Sequence, residues 1–158
     1  MANTQSMCTS FMSELMTATH NFGTAPIRAA STADTFKAAL YLASATVNAS
    51  TTAYSATGEV SGTGYTAGGV TVTNATPPAS TNTSSTAGVA YWTPSASITY
   101  TTVTLATAFD AVLIYNSSQS NKAVSVHTFG SQTVTAGTFT LTMPSNTTST
   151  ALLRLATT

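Results

Sequence analysis

Hydroxyl residues alternate with apolar ones in short runs, and this two-residue period restricts the fold more than any other feature. In "GVTVTNA" (69–75) valine and threonine take turns, and "SITYTTVTLA" (97–106) continues the habit with larger side chains. Such a period sorts residues onto the two faces of a pleated strand and does not suit an amphipathic helix. "TFKAALYLAS" (35–44) follows it too. Phe36, Ala38, Leu40 and Leu42 share one face, while Lys37, Ala39 and Tyr41 take the other, the pattern of a half-buried strand. In 97–106 the apolar phase slips between Tyr100 and Val103, which predicts a bulge.

Further strands are expected at "VAYWT" (89–93), "FDAVLIY" (109–115), "KAVSVHTF" (122–129), "TVTAGTFTLTM" (133–143) and "ALLRLA" (151–156). "FDAVLIY" is the most apolar run and is assigned to the centre, with "NSSQSN" (116–121) as the turn after it. Ala136-Gly137 marks a bend, and "ALLRLA" is expected to close the sheet. Roughly eight or nine short strands at this spacing predict an antiparallel β-sandwich, jelly-roll-like, with a barrel as the alternative.

Residues 4–19 carry the only strong helical period. Met7, Cys8, Phe11, Met12, Leu15 and Met16 form one stripe, with Ser6, Thr9, Ser13, Glu14 and Thr17 opposite. Asn3 or Thr4 is placed to cap the start. A methionine-rich face serves a core or a partner's groove equally well. Met7, Phe11, Met12, Leu15 and Met16 are therefore the candidate interface residues. "HNFGTAPIRAASTAD" (20–34) reads as a connector broken by Gly23 and Pro26. The division expected is a helix-and-connector arm over 1–34 and a β-sandwich domain over 35–158.

Threonine, alanine and serine make up about half of the chain, and only 5% of residues are charged. Without a basic run to neutralise phosphates, nucleic-acid binding is disfavoured. No stretch of about 18 apolar residues exists to span a membrane as a helix. Cys8 is the only cysteine, so neither a disulfide nor a thiolate metal set forms within one chain. The start has no basic and apolar secretory signal, so synthesis in a cytoplasm is expected.

The glycine-rich stretch "EVSGTGYTAGGVTVTN" (59–74) formally matches a dinucleotide fingerprint at Gly62, Gly64 and Ala67. That fingerprint requires a helix N-terminus after it, whereas a Val/Thr strand follows here. The glycines are instead assigned to positive-φ turns and close backbone approach. His20 and His127 have no short spacing to Cys8 that would make a zinc site, and no cofactor is expected. His127, Asp110 and a serine make a hydrolase triad on paper, but no Gly-x-Ser-x-Gly elbow supports one. Glu14, Asp34, Glu59 and Asp110 are scattered along the chain, which disfavours a carboxylate pair. Tyr54, Tyr65, Tyr91, Trp92 and Tyr100 are weighed as a sugar platform against core or interface anchors. The chain is expected not to be an enzyme.

Soluble proteins defend exposed strand edges with Lys, Glu or Pro, and this chain has two lysines. An uncharged hydroxyl surface loses little when a neighbour covers it, because few ions must be desolvated. A permanent assembly, largely insensitive to salt, is the expectation.

"DTFKAALY" (34–41), "TTAYSATGEVSGTGYTAGGVTVTN" (51–74), "AVLIYNSSQSNKAVSVHTFG" (111–130) and "TAGTFTLTMP" (135–144) resemble a family of small virion structural proteins of tailed bacteriophages. "MANTQSMCTSFMSELM" is similar to that family's helical start. The resemblance covers most of the chain and contains no catalytic signature. It implies a capsid decoration, or cement, protein on the virion exterior. Such a protein would self-associate, as a homotrimer over local three-fold axes, and bridge adjacent copies of the major capsid protein. Residues 1–34 would then be an arm reaching a neighbour, although "GTAPIRAASTA" (23–33) is longer than the family leads one to expect. A tail, neck or fibre component is the alternative station, and a carbohydrate-binding adhesion module the alternative class.

Overall fold

The computed structural model describes residues 3–16, 18–22, 33–81 and 88–156, with the backbone alone at 12, 13 and 16. The described residues form β1 (Ser6–Met7), α1 (Thr9–Met16), β2 (Phe36–Leu42), β3 (Val70–Thr71), β4 (Ala79–Ser80), β5 (Val89–Trp92), β6 (Ile98–Asn116), β7 (Lys122–Leu141) and β8 (Leu153–Ala156). The fold is mainly β, and every strand pairing is antiparallel. One sheet runs β1-β7-β6-β2-β3 and a smaller one β4-β5-β8.

The β6–β7 hairpin is the spine of the molecule. The runs 97–106 and 109–115, read as separate strands, fuse into the 19-residue β6, paired with the 20-residue β7. The pairing register shifts between Tyr100 and Val103, where the slipped apolar phase predicts a bulge, and Thr102 there has φ 54°. A second shift, between Val103 and Leu105, coincides with Ala136 at φ 45°, the site of the expected bend. The hairpin turns on Ser120 and Asn121, both at positive φ, with the Lys122 N–H donating to Gln119 O at 3.1 Å. Two successive positive-φ residues make the type I′ turn whose twist matches the strands.

β6 lies mid-sheet, and residues 111–116 are buried without a break. β2 is likewise buried at Ala38, Ala39, Leu40 and Tyr41, so the half-buried expectation is corrected. With both faces covered, burial no longer follows the alternation of the sequence. Over one face lies the segment 43–69, where Tyr54 stacks on Tyr115 at 4.7 Å and Tyr65 on Tyr100 at 5.9 Å. Over the other lie the N-terminal residues and the small sheet, joined by Phe22 stacked on Phe36 at 4.4 Å and edge-on to Trp92 at 4.7 Å. β8 belongs to that small sheet rather than closing the large one, and β3 is shorter than the strand expected over 69–75.

The N-terminal helix is also shorter than its apolar period predicts. Ser6 and Met7 are extended and pair with Val126 and Ser125 of β7, and the Cys8 N–H donates to Val124 O at 3.0 Å. The hydroxyl residues before Thr9 are weak helix formers, so pairing with a sheet edge prevails there. Asn3 does not cap α1. Its side chain accepts from Val47 N–H at 3.0 Å and donates to Leu42 O at 3.0 Å, tying the first residues to the end of β2. The helix ends on Ala18, at φ 52°, with the Ala18 N–H on Leu15 O and the Thr19 N–H on Glu14 O. That is a Schellman cap with alanine where glycine is usual. The described part of the N-terminal segment thus packs on the same sheets as the rest, with Cys8 fully buried and Phe11 at 2% exposure. Most of the expected connector, 23–32, lies outside the described residues.

Candidate functional site

The glycine-rich stretch is a clasp on the sheet. Gly58, Gly64, Gly68 and Gly69 all have positive φ. A Cβ on Gly69 would stand 1.7 Å from Ala38 O, and one on Gly62 2.0 Å from Thr104 O, so only glycine lets this backbone lie against β2 and β6. The lone carboxylate holds the clasp shut. Glu59 Oε2 accepts from the Tyr54 hydroxyl at 2.6 Å, and Oε1 accepts from the Tyr65 hydroxyl and the Gly68 N–H, each at 2.7 Å. Burial together with this carboxylate pushes the Tyr65 hydroxyl far above its ordinary pKa. The Gly68 N–H, a donor that could greet a phosphate, is turned onto Glu59, and the Gly69 and Tyr65 N–H groups onto Thr66 O and Gly62 O.

The densest polar cluster joins the N-terminal segment to the hairpin, and sequence reading did not anticipate it. Glu14 on α1 accepts from Lys122 Nζ at 2.6 Å and meets His20 Nε2 at 2.7 Å. His20 Nδ1 lies 3.1 Å from Asn116 Nδ2, which also donates to Asp34 Oδ2 at 2.8 Å. Gln119 Nε2 and the Asn21 N–H bind the same Asp34 carboxylate at 3.1 and 2.8 Å. An amide nitrogen only donates, so His20 Nδ1 accepts and Nε2 carries the proton toward Glu14. Burial lowers the His20 pKa against the pull of Glu14, which agrees with that neutral tautomer. Its side chain has no exposed surface and packs edge-on to Phe11 at 4.9 Å. With both ring nitrogens engaged and solvent excluded, His20 has no lone pair for a substrate. The cluster works as a latch.

The triad of His127, Asp110 and a serine does not assemble from the contacts its members make. His127 Nε2 meets Ser125 Oγ at 2.9 Å, whereas Asp110 Oδ1 accepts from Asn3 Nδ2 at 2.5 Å. Among the described residues no group of three His, Cys, Asp or Glu is placed to hold a metal ion. No described helix is long and apolar enough to cross a membrane.

The aromatic residues weighed as a sugar platform fall in two groups, Tyr54, Tyr65 and Tyr100 around the clasp and Tyr91 and Trp92 on β5. Trp92 is buried and donates from Nε1 to Asn74 Oδ1 at 2.8 Å, and buried Tyr100 donates to Ala38 O at 2.8 Å. Of the nominated interface residues, Phe11 is committed to its own chain's core. Met7 and Leu15 are half-buried and line a small apolar cavity of about 80 Å³ beside Tyr91 and Leu155. The side chains of Met12 and Met16 lie outside the described residues.

A larger groove, about 350 Å³, opens between the long hairpin and the segment 143–152. Buried Val112 and Ile114 line it together with half-buried Phe129, Phe139, Met143 and Leu152. His127 supplies part of its polar lining, and burial pushes that imidazole down to about 4, so it is neutral in neutral solution.

No protein-family model matches the chain, and neither the curated proteins nor the solved structures yield a match.

Proposed function

We propose that the protein is a structural component of a phage virion that decorates the capsid exterior and cements adjacent major capsid subunits. One observation carries the reading: all four carboxylates accept hydrogen bonds from their own chain. Glu14 is bound by Lys122, Asp34 by Asn116 and Gln119, Glu59 by two tyrosines and Asp110 by Asn3. What remains exposed among the described residues is mostly threonine, serine and alanine, which a neighbour covers at little desolvation cost. Such a molecule acts by staying attached, and its grip does not depend on salt. The two antiparallel sheets, with Trp92 packed on Phe22 and Phe36 between them, support reading the fold as a sandwich.

The test is co-sedimentation of the purified chain with empty expanded capsids at low and high salt, together with its copy number per virion. The expected result is binding at many copies that persists in high salt. No shell binding, or only a few copies at one vertex, overturns the capsid station in favour of a tail, neck or fibre.

A further inference from the structure

His20 closes the latch with both ring nitrogens, and the two contacts leave no room for a second proton. Nε2 donates to Glu14 Oε2 at 2.7 Å, and Nδ1 accepts from Asn116 Nδ2 at 3.1 Å. The Asn116 amide is fixed in that orientation from both ends. Its nitrogen also donates to Asp34 Oδ2 at 2.8 Å, and its oxygen accepts from the Ser118 N–H at 3.1 Å. Turning the amide over would set its oxygen against the Asp34 carboxylate and its NH2 against the Ser118 N–H. A proton arriving at Nδ1 therefore meets a donor held in place, and the ring keeps that proton only by leaving its site.

We propose that His20 is an acid-sensitive release, which on taking a second proton lifts residues 18–22 off the sheets while the β6–β7 hairpin stays folded. The surroundings of the ring decide the direction of the switch. Among the described residues, Glu14 and the edge of Phe11 face it from α1, Asp34 from just before β2, Phe36 from β2, Asn116 from β6 and Lys122 from β7. Glu14 and Asp34 draw a proton toward the ring, whereas burial and Lys122 oppose it, and burial is the strongest influence. Once lifted into water, His20 takes its proton near the ordinary 6.5, but in place it does so only at lower pH. The closed form is thus favoured fully above 6.5 and loses ground as pH falls below it. Glu14, whose ordinary value is 4.5, adds to the release only in stronger acid.

The release is local because no sheet ladder holds these residues. The Ala18 and Thr19 N–H groups close the last turn of α1, and the Asn21 N–H reaches the Asp34 side chain. Leu113 and Val126, by contrast, face each other across the hairpin and are fully buried. Segments with few such ties open below the cost of global unfolding. Lifting takes Phe22 away from Phe36 and Trp92, so acid uncovers an apolar face between the two sheets.

The inference goes beyond the function proposed above and stands or falls without the capsid. The experiment is amide hydrogen exchange by NMR on the purified chain, from about pH 7 to about pH 5, with each rate divided by its intrinsic value at that pH. The nitrogen shifts of the His20 ring are followed in the same titration. Protection at Ala18, Thr19 and Asn21 is expected to fall by up to about tenfold per pH unit below 6.5, the slope of one proton, while Leu113 and Val126 keep theirs. In His20→Gln the protection of the segment is expected to be flat over this range. Nδ1 becoming protonated with Thr19 and Asn21 still protected overturns the proposal, and so does H20Q opening at the same pH as wild type. Loss of protection at Leu113 and Val126 in step with the segment overturns it as well. Should H20Q fail to fold, the ring and amide titrations of the wild type decide alone.

Discussion

Glu14 on the helix and Lys122 at the start of β7 stand 108 positions apart in sequence, yet Oε1 and Nζ are 2.6 Å apart. This pair and His20 fasten α1 and the residues just after it to the hairpin. Burial alone would raise the Glu14 pKa, but hydrogen bonds from Lys122 and His20 outweigh it and hold the carboxyl below its ordinary value. A carboxylate with a lowered folded pKa adds stability above its unfolded pKa and loses it as pH falls through the folded one.

Lys122→Met removes the cation while keeping the stem. The lysine side chain is 38% exposed, so solvent screens the pair, and the expected loss is about 1 kcal/mol at neutral pH. Urea unfolding measures it, and an unchanged midpoint would show that the pair holds nothing.

Ala18 ends α1 in the left-handed region, which costs a residue with a Cβ about 1 kcal/mol. Ala18→Gly is therefore expected to stabilise the protein by about that amount. A lower melting temperature would mean that the Ala18 methyl makes contacts worth more than the strain.

Glu59 takes three donors, two of them tyrosine hydroxyls. Glu59→Ala leaves all three without their acceptor and is expected to cost about 3 kcal/mol. In Glu59→Gln the carbonyl serves Tyr65 and Gly68 while the amide donates to the Tyr54 oxygen, so the loss should be about 1 kcal/mol. Chemical denaturation of the two variants checks the ranking, and equal losses would rule out the acceptor role.

His127 is pushed from 6.5 down to about 4 by burial. Between those values the unfolded chain holds a proton that the folded chain does not. Stability is complete above the unfolded pKa and drains away as pH falls toward 4, at up to ~1.4 kcal/mol per pH unit. Thermal unfolding across that range should flatten in His127→Gln, leaving a residual slope due to His20 and Glu14, whose pKa values are also lowered. An unchanged profile would exclude His127 as the group responsible.

What the sequence made legible was local. The slip after Tyr100, the central run 109–115, the turn over 116–121 and the backbone role of the glycines are all written in neighbouring residues, and all appear in the fold. What it hid was decided at a distance. The apolar stripe from Met7 to Met16 fits a helix, but only the open edge of β7 determines that Ser6 and Met7 leave it. β2 alternates in sequence and is still buried on both faces, because the segment that covers it comes from 43–69. The convergence of Glu14, His20, Asp34 and Lys122 joins residues up to 108 positions apart, and no spacing rule anticipates it.

Cys8 sits beneath β1 and α1 with no exposed surface, and burial, reinforced by the nearby Glu14 charge, pushes its thiol up to about 11. A sulfhydryl so shielded is silent toward alkylating reagents while the first strand and helix stay docked. Because no other cysteine competes, the rate of alkylation becomes a clock for how often that segment lifts away.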